Sequence, residues 1–258
     1  MASNWFAAVG SLKGTRMTVA KLPTAARLAQ LHAAEGKALA LLDRIEQLGL
    51  IVPGRTEREV EQDIYALARD EFGVEKHWHK RIVHAGVNGL ATARENPPVQ
   101  TVAADDLVFI DLGPVFDEWE ADVGRSYVVG HDPDKVRLVA DLSAQFDAVQ
   151  ARFEEHPDIT GAELYGFACA SATAAGWRFG GVIAGHVVGE FPHAHLPGDK
   201  DFYRINPENT TRLRDPDPNG NERFWILEIH LVDPGGRYGG FYERLMSRTN
   251  LPGPFLLP

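Results

Sequence analysis

The chain has 258 residues, 44% of them hydrophobic, and a formal charge of −10. That length allows one large domain or two small ones, with enough apolar residues for a sizeable core. The acidic balance argues against a nucleic-acid-binding surface, and the single cysteine, Cys169, excludes an internal disulfide and a cysteine zinc site and fits a reducing, cytoplasmic setting. The start, MASNWFAAVGSLKGTRM, lacks the basic then apolar pattern of a signal peptide. The apolar run Ala38 to Leu42 falls far short of the roughly 20 residues that span a bilayer. Residues 1–22 read as an arm lying along another surface and residues 23–258 as one domain.

Pro23 precedes a helical pattern over about Ala25 to Gln47, with Leu28, Leu31, Ala34, Ala38, Leu41, Leu42 and Ile45 at helical spacing. LGLIVPGR ends it. Thr56-Glu57-Arg58-Glu59 is a capping box, followed by the stripe Val60, Ile64, Leu67, Ala68 and a glycine stop at Phe72-Gly73. HWHKRIVHAGVNGLAT reads as a strand and loop. His77 and His79 flank Trp78 on one strand face; solvated positions are expected for both, with the lining of the substrate mouth as the alternative. LVFIDLGPVF reads as one buried strand, DEWE as a turn and ADVGRSYVVG as the return strand, which sets Asp111 and Asp122 on neighbouring strands with both side chains inward.

The second half repeats this order. Asp134 to Phe153 is helical, Thr160-Gly161-Ala162-Glu163 is a second capping box, Ala175-Gly176 is a second stop, and the glycine-rich WRFGGVIAGHVVG follows. The repetition predicts an internal duplication. Two such halves make an α+β fold, with helices on one side of a curved antiparallel sheet and functional side chains on the concave face. The Asp-, Asn-, Pro- and Gly-rich stretch from Pro197 to Arg223 reads as a long loop over the rim.

Five side chains suggest chemistry: Asp111, Asp122, His186, Glu228 and Glu243. Four carboxylates and one imidazole suit one or two divalent ions such as Mn, Fe, Co or Zn better than a structural zinc. Such a site makes hydroxide from water near neutral pH, or binds oxygen if the metal is iron. Asp111, Asp122 and Glu228 lie in apolar strands, where an unpaired charge is costly. Glu243 has Arg244 beside it, so an ordinary surface pair competes with the ligand reading.

The order Asp, ten residues, Asp, then Gly-His, Glu and Glu resembles the creatinase, prolidase and methionine aminopeptidase family over roughly Ala25 to Met246. Asp122-Val-Gly-Arg125-Ser matches that family's second aspartate and its arginine. His186 and His193 match its ligand histidine and a second, substrate-contacting histidine. The resemblance implies the duplicated pita-bread fold and a pair of divalent ions held by the five residues, Asp122 and Glu243 bridging. It implies that Glu228 is both a ligand and a proton shuttle and that His193 steadies an oxyanion. The implied activity is hydrolysis of N-terminal or Xaa-Pro peptide bonds, or of a small amide, as creatine is in one branch. The expected partners are a peptide or small-molecule substrate and a second copy in a homodimer, with no nucleic acid or membrane partner.

Three departures leave the reaction open. Peptidases of that family carry a histidine upstream of the first aspartate, where LATARENPP offers Arg94, and His84 lies earlier. Instead of the usual proline after the first glutamate there is Ile229, then His230. The extra N-terminal domain of prolidase-like members has no counterpart, which would leave the site mouth to the chain's own loops or a partner subunit. His230 shares a strand face with Glu228. With His186 and a carboxylate it composes a mononuclear iron site. An iron- and oxygen-dependent enzyme acting on a small amino acid-like substrate therefore stands beside the hydrolase, as does a binding protein on the same scaffold. Arg94 suits a substrate carboxylate, His84 is a further candidate contact, and Arg125 is expected to order the aspartate hairpin.

Overall fold

The computed structural model describes residues 22–92, 95–192 and 200–247. The first half runs α1 (Thr24–Gln47), α2 (Glu57–Phe72), β1 (Lys76–His77), β2 (Ile82–Ala85), a 3-10 turn at Gly86–Leu90, β3 (Leu107–Leu112), β4 (Pro114–Phe116), β5 (Trp119–Glu120) and β6 (Val123–Val128). The second runs α3 (Pro133–Glu155), α4 (Gly161–Ala174), β7 (Arg178–Phe179), β8 (Gly185–Val188), β9 (Phe224–Val232) and β10 (Gly239–Met246). This is the expected α+β order of two helix pairs, each followed by strands. Residues 1–21 of the expected arm lie outside the described residues.

Both capping boxes form. Thr56 Oγ1 accepts from Glu59 N while Glu59 Oε2 accepts from Thr56 N, and Thr160 and Glu163 repeat the exchange. Each box satisfies two backbone donors that a helix start leaves free. Gly73 closes α2 in the left-handed conformation at φ 65°, which costs glycine no Cβ clash.

Six antiparallel strands lie in the order β2-β3-β6-β10-β9-β7, and β8 also pairs with β9. Alternation decides what each face meets. On β3, Val108, Ile110 and Leu112 enter a core with Leu41, Leu42 and Ile45 of α1 and Val60 and Ile64 of α2. On β9, Leu227, Ile229 and Leu231 enter a second core with Leu138 and Leu142 of α3 and Leu164 and Ala168 of α4. Each such buried side chain contributes about 1.5–3 kcal/mol. The intervening residues, Phe109 and Asp111 on β3 and Glu228 and His230 on β9, line a cavity on the other face.

One expectation is corrected and one is refined. LVFIDLGPVF is two strands in two sheets, because β4 leaves the main sheet at Gly113 and pairs instead with β1 and β5. The turn between β4 and β5 is Asp117-Glu118, both at positive φ (50° and 68°), which matches the twist of a tight hairpin. The described part of the Pro197–Arg223 stretch, residues 200–223, is a loop as expected, apart from a 3-10 turn at Lys200–Tyr203, and it is pinned to the core. Ile205 and Leu213 are fully buried, and the Arg223 guanidinium donates to the carbonyls of Phe202, Arg212 and Asp215.

Candidate metal centre

Register builds the centre. Asp111 on β3 and Glu243 on β10 both sit opposite Gly124 of β6, and Glu243 also sits opposite Glu228 of β9. One row across four neighbouring strands therefore points three carboxylates at the same face. Asp122, two residues before Gly124, joins them. Gly124 keeps the row open, since a Cβ there would lie 2.6 Å from the Phe241 ring. His186 comes from β8, with Nε2 3.0 Å from Asp122 Oδ2, 3.7 Å from Glu228 Oε1 and 3.8 Å from Glu243 Oε1. All five ligands expected from the sequence are thus brought together.

A sixth group joins them. His79, on the bend after β1, places Nε2 3.1 Å from Asp122 Oδ1 and 3.4 Å from Asp111 Oδ1. Of the two positions the sequence allows, solvent and the substrate mouth, the structure shows the second. Two residues of β1 pair with β4, and Trp78 N–H donates to Gly113 O. This short graft swings His79 inward, and a two-residue strand leaves almost no periodic signal in sequence. His77 packs near the Tyr65 ring instead, and burial lowers its pKa to about 4. Five of the six groups form two triads with one shared member: His79, Asp111 and Asp122, then Asp122, His186 and Glu243, with Glu228 beside them.

The remaining candidates separate from the centre. His230 is buried and donates Nε2–H to Gly89 O at 2.8 Å. Its Nδ1 edge abuts Gly180, where a Cβ would come within 2.7 Å. Neither ring nitrogen is aimed at the acids, so the iron site drawn from His230, His186 and a carboxylate is not assembled. His84 lines the cavity opposite Phe109 on the neighbouring strand, ring centroids 5.1 Å apart, and is no ligand. Burial, reinforced by Lys80, lowers it to about 4. Arg125 does not order the aspartates. It alternates to the helix face of β6 and pairs with Asp43 of α1 at 2.7 Å. Arg244 likewise pairs with buried Glu35 of α1, which leaves Glu243 to the site. His193 and Arg94 lie outside the described residues.

The electrostatics fit a cation. Burial, together with neighbouring Asp122 and Asp111, holds Glu243 well above the carboxylate range. Burial pushes Glu228 up to about 7 and Asp111 up to about 6, against the pull of the imidazoles. Asp122 alone falls, to about 2, because His79 and His186 outweigh its burial. Those imidazoles rise in turn, His79 to about 10 and His186 to about 9, the acids overcoming burial. Asp111 Oδ1 and Glu243 Oε2 are buried without a hydrogen bond. Oxygens so oriented cost free energy unless a cation or proton meets them, and four clustered carboxylates match the charge of two divalent ions.

The model of metallopeptidase family M24 matches residues 29–217. The chain belongs to family M24. The match ends before Glu228 and Glu243, whose place in the site rests on the register described above. A relative at 33% identity over 147 residues is the Xaa-Pro dipeptidase of Lactobacillus delbrueckii subsp. lactis, with 54% of this chain and 39% of that protein covered. The solved prolidase of Thermococcus sibiricus superposes with a TM-score of 0.64 at 19% identity, over 88% of this chain and 60% of that one. Dipeptidase PepE of Mycobacterium ulcerans gives 0.61 at 25% identity, over 84% and 55%. The pita-bread fold of the M24 proteins is therefore shared. The chain spans about two fifths of that curated relative and less than two thirds of either solved structure.

Proposed function

We propose that this M24 chain is a metal-dependent hydrolase that cleaves a short peptide, with an Xaa-Pro bond as the first substrate to test. The observation that carries the reading is the row of carboxylates from both halves, facing His186 inside one cavity of about 260 Å³. Asp111, Asp122, His186, Glu228 and Glu243 would hold one or two divalent ions, from among Mn, Fe, Co and Zn. When bound, such ions act as Lewis acids toward a carbonyl and bring the pKa of water near neutrality. Glu228 is the least enclosed acid, its side chain 17% exposed against 2–3% for Asp122 and Glu243. It is therefore placed to pass a proton between water and the leaving amine. Phe109, Phe241, Ile82 and Ile183 give the cavity apolar walls that exclude water, and Lys80 and Arg204 add positive charge to its lining. That combination suits a dipeptide-sized substrate with an apolar side chain and a free carboxylate. By the family resemblance, His193 is assigned to the oxyanion; Arg94, where the chain departs from that family, is offered for the substrate carboxylate on its own chemistry.

The test is release of free amino acid from Xaa-Pro dipeptides and N-terminal peptides by metal-replete protein. Turnover is expected, lost on chelation and restored by added Mn, Co or Zn. No release from any such substrate by protein that carries its ions would overturn the proposal. No described helix is long and apolar enough to cross a membrane. A cytoplasmic location and a homodimer are proposed with the activity, and fractionation and light scattering test them.

A further inference from the structure

We infer that His79 is a sixth protein ligand of the metal centre, binding through Nε2 on the Asp111 side, so that each half of the chain supplies one imidazole. The inference rests on the metal reading above and extends it to a residue outside the five-ligand set.

Three observations carry it. The first is tautomer control. A histidine that ligates through one ring nitrogen normally donates the other N–H to a fixed acceptor, which sets ring orientation and leaves the lone pair on the metal side. His186 does this with Nδ1 on the carbonyl of the next residue, Val187, at 2.8 Å. His79 repeats the device, with Nδ1 on the carbonyl of its own next residue, Lys80, at 2.6 Å. In both rings Nε2 is the nitrogen turned to the acids. The second is placement. Asp122 lies between the rings, with Oδ1 3.1 Å from His79 and Oδ2 3.0 Å from His186. A carboxylate that offers one oxygen to each of two places, each holding an imidazole and a further acid, is the arrangement of two adjacent sites. The third is the seat. Gly113 has no side chain exactly where one would collide with this ring, since a Cβ would lie 2.4 Å from His79 Nε2 and 2.5 Å from Trp78 Nε1. The Trp78 indole donates to Ala121 O and stands edge-on to both rings, 4.4 Å from His79 and 5.2 Å from His186. His79 is therefore held by backbone and packing, and a second imidazole shifts the donor set toward ions that accept nitrogen, such as Co and Zn.

Titration calorimetry with Co and Zn and the visible spectrum of the Co-loaded protein test this without an activity assay. Two ions are expected to bind the unaltered chain. His79→Gly should weaken one of them at least about 100-fold and change the Co spectrum, and added imidazole should restore both. His79→Gln keeps an N–H for Asp122 and should fail as His79→Gly does, whereas a side chain that merely orients Asp122 would be replaced by it. His77→Gln should bind normally. In Zn-loaded unaltered protein, nitrogen NMR should show the His79 Nε2 resonance at a metal-bound position beside that of His186, a readout that no folding defect can mask. Unchanged affinity and spectrum in His79→Gln, or a free Nε2 resonance with two ions bound, would overturn the sixth ligand and leave the hydrolase proposal standing. Failure of the unaltered chain to bind any divalent ion would overturn both.

Discussion

In the first half, the start of α2 docks on the segment around Thr101. Thr56 bridges Thr101, Glu57 N donates to Gln100 O, and the buried Glu57 carboxylate accepts from Ala85 N, Gln100 N and the Asn88 amide. In the second half, the start of α4 docks on the segment around Arg212 in the same way. Thr160 bridges Arg212, and Gly161 N and Ala162 N donate to the carbonyls of Thr211 and Asn209. Here the helix position that matches Glu57 is Gly161, and the latch comes from the loop. Asn209 donates to Arg204 O and accepts from Thr211, filling the space that a Cβ on Gly161 would enter at 2.7 Å. The contact is repeated while the side chain that makes it has changed sides. The centre likewise takes three groups from each half, His79, Asp111 and Asp122 from the first and His186, Glu228 and Glu243 from the second.

The sharpest way to break that symmetry is Asp122→Ala, since Asp122 belongs to both triads. Activity should fall by roughly a thousandfold or more, and elemental analysis should show both ions weakened; one ion left at full affinity would mean the halves bind separately. Next in size is the cation itself. At one hundred times its Kd an ion binding only the folded chain adds about 2.7 kcal/mol. Its effect should depend on pH in a stated direction. Asp111, Glu228 and Glu243 have folded pKa values above their unfolded ones, so the metal-free fold keeps its stability at low pH and loses it as pH rises through about 6 and 7. His79 and His186 do not reverse this, because their raised values of about 10 and 9 keep them protonated across that window. The gap in Tm between loaded and chelated protein should therefore widen from pH 5 to pH 8, and a constant gap would show that the acids are not what the cation neutralises. Glu57→Ala strands three buried donors and should cost about 2–3 kcal/mol in urea unfolding. Gly161→Ala overpacks Asn209 and should cost about 1–3 kcal/mol; a silent Gly161→Ala would refute the exchanged latch. The smallest effects belong to the caps. Thr56→Ala and Thr160→Ala should each remove about 1 kcal/mol, and unequal losses would show that the two boxes do different work.

Where a side chain's neighbours are local or periodic, the sequence was sufficient. The helices and both caps follow from spacing, and the five candidate ligands from charges set in apolar strands together with an ordered motif that resembles the family's. What spacing does not carry is the partner of each face. Arg125 is one residue from Gly124, yet it meets α1 while Gly124 faces the cavity, and the motif alone does not say which. His230 does share a face with Glu228, as alternation requires, but the carbonyl that claims it belongs to Gly89, distant in sequence. His79 was the hardest to read, because its direction is set by two residues of β-pairing and a glycine's missing side chain.

The Trp78 indole stands between the two imidazoles, in van der Waals range of both triads. An indole so placed senses electric charge on either ring and any paramagnetic ion beside them. The protein thus carries its own optical gauge: its emission should step once for each occupied position as Co is titrated in, and a Trp78→Phe chain should go dark to the titration while still taking up the ions.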